Sequence, residues 1–289
     1  MKRNPFVVLN YYILLKSIKI YFMKENFIVD THTHIGYRPT LKTTENALVN
    51  SCKDHNISYA LVSFDGSEFI NERGKVVPQL KAAKRCLKFV SEHKYFGMLI
   101  WFRPHTEKNY VDIDNFIANH RDKIYGLKFH PFLSKMRVTD PRLHPYFEIA
   151  RKYNLPILVH TANDKYSNIK YLEKCAKEFK DITFVAAHLE LETDNLSALK
   201  VLKNNINIYG DTAWVNPETL TIARKEKVLD KIMFGTDNPI DGYETLNNPY
   251  YKSYLNNEIN LTKKELQNLM YKTAIKVYKL DTSLFRKII

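Results

Sequence analysis

A chain of 289 residues with 45% hydrophobic and 26% charged residues has the composition of a folded globular protein and the length to bury a sizeable core. Its net charge of +13 arises from 44 Lys+Arg against 31 Asp+Glu, but the basic residues are scattered over helix faces with no dense block, which argues against a nucleic-acid surface. Cys52, Cys86 and Cys175 stand alone, which excludes a disulfide framework or a thiolate metal site and suits a reducing cytoplasm.

The N-terminal stretch is apolar from Phe6 to Phe22 but is interrupted by Lys16 and Lys19. Its unbroken run is well short of the ~20 residues a membrane helix needs, and no small-residue cleavage site follows. Met23 reads as the natural start, so residues 1–22 are set apart as an extension and residues 23–289 as the working domain.

From Met23 the chain alternates short apolar runs with longer segments of helical period. The runs, read as strands, are 27–29, 59–64, 96–102, 124–129, 157–159, 182–187, 206–209 and 232–234. Helical patterns fill 45–55, 79–93, 113–120, 144–153, 169–179, 196–203, 218–227 and 263–278, the last opened by a capping box, Thr262-x-x-Glu265. Such alternation implies right-handed crossovers and a parallel sheet. Eight units in this length predict a (β/α)8 TIM barrel. A doubly wound open sheet competes, but the chain has 8 glycines and no G-x-G-x-x-G loop. Residues 241–257 read as a long loop over the barrel mouth.

In such a barrel the chemistry gathers where the strands end. The first predicted strand runs into Asp30-Thr31-His32-Thr33-His34, and residues two apart on a strand face one side. The fourth ends in Lys128-Phe129-His130, the fifth in His160, the sixth in His188 and the eighth in Gly235-Thr236-Asp237-Asn238-Pro239. Five of the ten histidines thus sit at strand ends. His32, His34, His160 and Asp237 are the expected metal ligands, three nitrogens and one oxygen around a divalent ion, with zinc expected. Such an ion lowers the pKa of a bound water to about 7. Asp237 would take the water proton and pass it to the leaving group, and His188 would orient the water or polarise a carbonyl.

These motifs, with Gly126-Leu127-Lys128-Phe129-His130-Pro131, Ile157-Leu158-Val159-His160-Thr161 and Tyr209-Gly210-Asp211-Thr212, resemble the amidohydrolase superfamily. Within it, the branch of metal-dependent hydrolases and aromatic-acid decarboxylases is the nearest match, from Asp30 nearly to the C-terminus. The resemblance implies the same four metal residues and a catalytic His188. Some relatives bridge two metals with a carbamylated lysine on the fourth strand, where Lys128 lies; this branch usually works with one ion, and one is expected. The final helix carries Thr273-Ala274 where the branch usually has Asn-Ala.

For the substrate, Arg38, Arg103, Lys128 and His130 are the candidate anion-binding residues, with Trp214 and Tyr243 as walls of the mouth. The expected reaction is hydrolysis of an amide, lactone or ester of a small anionic molecule, with non-oxidative decarboxylation of an aromatic acid as the alternative. The expected partners are a small-molecule substrate and, at most, a second copy in a homodimer, with no nucleic acid and no membrane.

Overall fold

The computed structural model describes residues 27–36, 43–64, 77–104 and 110–286; the predicted extension 1–22 and Arg38 lie outside the described residues. Eight strands follow in chain order: β1 (Val29–Ile35), β2 (Tyr59–Phe64), β3 (Phe96–Trp101), β4 (Ile124–Phe129), β5 (Ile157–Ala162), β6 (Phe184–Leu191), β7 (Ile208–Asp211) and β8 (Ile232–Met233). Each pairs in parallel with the next, giving one sheet in sequence order. The sheet closes on itself: Thr31 N–H donates to the Phe234 carbonyl at 3.0 Å, Asp237 N–H to His32 at 2.8 Å and His34 N–H to Asn238 at 2.8 Å. The fold is the expected (β/α)8 TIM barrel.

The strands are buried on both faces, as a parallel sheet wrapped by helices requires. The wrapping helices include α1 (Glu45–Asp54), α2 (Gln79–Glu92) and α3 (Val111–Asn119). Strand β3 passes close to its neighbours at Gly97, where a Cβ would meet the Tyr125 ring at 2.4 Å and the Tyr59 hydroxyl at 2.8 Å. We therefore expect Gly97→Ala to cost ~1–3 kcal/mol by overpacking. A urea midpoint that falls at constant m would register it.

One expectation needs correcting. Residues 241–257 do not form a plain loop: Gly242–Asn247 is a 3-10 turn and Pro249–Asn256 an α-helix. Asn248 caps that helix by accepting from the Tyr250 N–H, Pro249 opens it, and Tyr251 and Tyr254 bury one side. The final helix runs through 263–278 as expected, with one turn widened. It opens with the expected Thr262–Glu265 capping box, but Asn268–Lys272 forms a π-turn before Thr273–Tyr278 resumes. Within that turn the Leu269 carbonyl accepts from Phe234 N–H at 2.8 Å, and Thr273 Oγ1 donates to the Asp230 carbonyl at 3.0 Å. The helix is thereby tied to both ends of β8. No described helix is long and apolar enough to cross a membrane.

Candidate metal centre

Strand β1 carries His32 and His34 on one side, their ring centroids 5.0 Å apart and both side chains buried. Closure of the barrel brings Asp237 against them, because its own N–H is spent on the His32 carbonyl. Asp237 Oδ1 lies 2.8 Å from His34 Nε2 and 3.3 Å from His32 Nε2. One donor atom from each of these three residues falls within 4.8 Å of the others, a grouping that can hold a metal ion. Gly235 permits the approach: a Cβ there would sit 3.0 Å from the Asp211 Cβ and 3.1 Å from the His32 Cβ.

Both imidazoles are held from behind. His32 Nδ1 lies 2.9 Å from Asp211 Oδ2 and His34 Nδ1 lies 2.9 Å from Ser63 Oγ. A carboxylate only accepts, so His32 carries its proton on Nδ1 and turns the Nε2 lone pair inward. Burial, and then the Lys128 ammonium 2.9 Å from Nε2, push His32 down to about 3, which keeps it neutral as a ligand must be. Burial alone would raise the Asp237 carboxyl, but the His32 and His34 imidazoles outweigh it and hold it well below its usual range. Its other oxygen, Oδ2, accepts from Trp214 Nε1 at 3.0 Å.

His188 enters from within β6 on a left-handed backbone with φ 68°. Its N–H donates to Asp211 Oδ1 at 2.9 Å and its Nδ1 lies 3.1 Å from the Ala213 carbonyl. The carbonyl too only accepts, so Nε2 is left as the basic nitrogen. Burial lowers the pKa of this ring, which lies 4.9 Å from the His32 ring and 4.8 Å from the His160 ring.

His160 is not in the three-residue group, although it is expected as a ligand. Its ring stacks on His130 at 3.8 Å and 16°, and His130 stacks on Trp101 at 5.6 Å and 10°. Burial, followed by His130 and His188, depresses its pKa well below the usual value. Lys128 and His130 thus serve different levels: Lys128 reaches His32, while His130, just past the strand end, reaches His160. Arg103 is fully buried, with its guanidinium donating to the Val77 carbonyl and its N–H to Gln79 Oε1 at 2.9 Å. It is tied to the segment that opens α2 rather than displayed at the surface. Tyr243 turns its hydroxyl to Asp54.

Sequence reasoning passed over Ser63, Trp101 and Asp211. Asp211 receives three donors, from the His32 ring and from the backbones of His188 and Ala213; against burial, His32 and then His188 hold it below its usual pKa. The signal for it was present in Tyr209-Gly210-Asp211-Thr212. Partners behind metal-ligating histidines set ring orientation and basicity, and removing one typically costs 10–100-fold in affinity. Ser63→Ala and Asp211→Asn should each weaken divalent-ion binding by about that factor, read by competition with a chelating dye, while the fold is retained.

The chain is similar to known proteins at two levels. The amidohydrolase family model matches residues 82–280, a span that contains His160, His188 and Asp237. No curated protein matches the chain. Among solved structures, a 5-carboxyvanillate decarboxylase from Novosphingobium aromaticivorans, solved with manganese and 4-hydroxy-3-methoxy-5-nitrobenzoic acid, superposes with a TM-score of 0.70. The two are 9% identical, and the alignment covers 89% of this chain and 97% of that one. A probable 2-pyrone-4,6-dicarboxylic acid hydrolase from Acinetobacter baumannii, with citric acid bound, gives 0.58 at 14% identity over 88% and 99% of the two chains. A dihydroorotase from Campylobacter jejuni gives 0.57 at 19% identity over 88% and 83%. At these identities the likeness concerns the fold.

Proposed function

The chain belongs to the amidohydrolase family, and from that premise we propose that it is a metal-dependent hydrolase of a small, anionic, carbonyl-bearing substrate. The observation that carries this reading is the grouping of His32, His34 and Asp237, with the two imidazoles held from behind by Asp211 and Ser63. The donor set fits a divalent ion: His32 is neutral with its lone pair inward, and Asp237 is ionised and buried. His32, His34 and Asp237 would hold it, with His160 as the further ligand. Nitrogen and carboxylate ligands suit zinc, and one ion is proposed. When bound, such an ion supplies Lewis acidity that polarises a substrate oxygen and makes water nucleophilic at neutral pH.

The protein groups then have separate tasks. Asp237, kept ionised, accepts a proton from the attacking water and returns it to the leaving group. His188, with its Nδ1 proton committed to Ala213, presents Nε2 to orient that water or the substrate. Lys128 offers positive charge to an anionic group. Burial of all these side chains strengthens each interaction by excluding bulk water.

Decarboxylation of an aromatic acid is the second reading, favoured by the parallel Trp101–His130–His160 stack beside Lys128, a flat wall next to a cation. Metal analysis of protein purified without chelator tests the shared premise, and absence of a stoichiometric divalent ion would defeat both readings. The same analysis separates zinc from manganese, which the Novosphingobium decarboxylase carries. Turnover of a lactone, ester and amide panel supports hydrolysis; carbon dioxide release from aromatic acids with no hydrolysis overturns it.

A further inference from the structure

The end of β7 and the loop after it contribute none of the proposed ligands, yet together they reach His32, His188 and Asp237. Asp211 steadies His32 and His188, and the Ala213 carbonyl sets the His188 proton. The next residue, Trp214, has φ 60°, a left-handed backbone that a bulky side chain adopts only under constraint. The constraint is visible: Trp214 N–H donates to the hydroxyl of fully buried Tyr251 at 3.0 Å, and the two rings meet edge to face at 6.0 Å. One residue on, the Val215 carbonyl accepts from the Tyr254 hydroxyl at 2.7 Å. Asp237, which receives the indole N–H, is itself left-handed at φ 62°. The donor is thus held in a costly conformation while it makes this hydrogen bond, and an outlier of this kind points to a task.

The two oxygens of Asp237 are divided by that bond. Oδ1 faces His32 and His34, whereas Oδ2 is occupied by the indole. We infer that Trp214 is a positioning residue that holds Asp237 to the ion through Oδ1 alone and reserves Oδ2 as the proton-accepting oxygen. The inference rests on the metal-site reading above. It also moves Trp214 from the substrate wall, where the sequence suggests it, to a support behind Asp237. Indole is suited to this task because its N–H is far too weak an acid to protonate the carboxylate, and, being a donor only, it has no lone pair with which to coordinate the ion.

Cobalt(II) is the probe, added to the full chain after metal removal, because its visible absorption weakens as coordination number rises. In Trp214→Phe the carboxylate is free to rotate and offer both oxygens. We expect a weaker visible band and cobalt affinity lower by about 10–100-fold. Tyr251→Phe removes only the hydroxyl that braces Trp214 and should shift the spectrum in the same direction by less; it decides the matter if Trp214→Phe fails to fold. Wild-type spectrum and affinity in the folded variants would overturn the inference while leaving the metal site standing. No cobalt bound by the wild-type chain would overturn the metal reading itself.

Discussion

Replacing Asp237 by asparagine should lower kcat/KM by roughly 10²–10⁴-fold, the range that a general acid–base group contributes. Asparagine keeps the shape and leaves an oxygen facing His34, but it has neither the charge nor the basicity to take a proton. The carboxylate it replaces is held ionised in a buried place by two imidazoles. The loss should appear in kcat as well as kcat/KM, because the proton moves in the reacting complex and not on binding. It is measured on whichever substrate the hydrolysis panel identifies. Turnover within a few-fold of wild type would show that the proton travels by another route, with His188 Nε2 the first alternative to test.

His34→Ala should abolish stoichiometric metal binding, with affinity falling by more than ~100-fold. The size follows from its place. His34 Nε2 lies 2.8 Å from Asp237 Oδ1 within the three-residue group, so its loss would remove one of the proposed ligand nitrogens outright. Ser63→Ala, which disturbs only the orientation of the same ring, sets the scale of 10–100-fold. The order His34→Ala worse than Ser63→Ala is therefore the measurable claim, by plasma mass spectrometry for content and chelator competition for affinity. Equal effects would place His34 outside the ligand set. His160→Ala belongs in the same series, because its ring stands with His130 rather than in the three-residue group. A loss of affinity comparable to that of His34→Ala is expected if His160 completes the set.

Much of the barrel was legible because its signals are local. The apolar runs at 59–64 and 124–129 coincide with β2 and β4, since a strand covered on both faces needs continuous apolar residues. Histidines at the ends of such runs stood out against chemistry that would otherwise be spent on packing. Residues 241–257 were misread because the helix there is short and rests on a cap, a proline and two tyrosines that interact with distant elements. Asp211 is legible as part of the Tyr209-Gly210-Asp211-Thr212 motif, but its role is not. Its three donors come from β1, from β6 and from its own loop, and only the barrel brings them together.

The order of strands and the residue types at their ends are determined by the sequence alone, because hydrophobic period and chain direction act over a few residues. Which nitrogen of His32 faces inward, which oxygen of Asp237 Trp214 occupies, and which histidine stands beside another ring are decided by tertiary structure. Those choices depend on closing β8 against β1 and on left-handed backbone at His188, Trp214 and Asp237, which at Trp214 no local preference would select. Partners 179 and 203 residues apart in the chain, Asp211 with His32 and Asp237 with His34, fix the centre's geometry only once the barrel has closed.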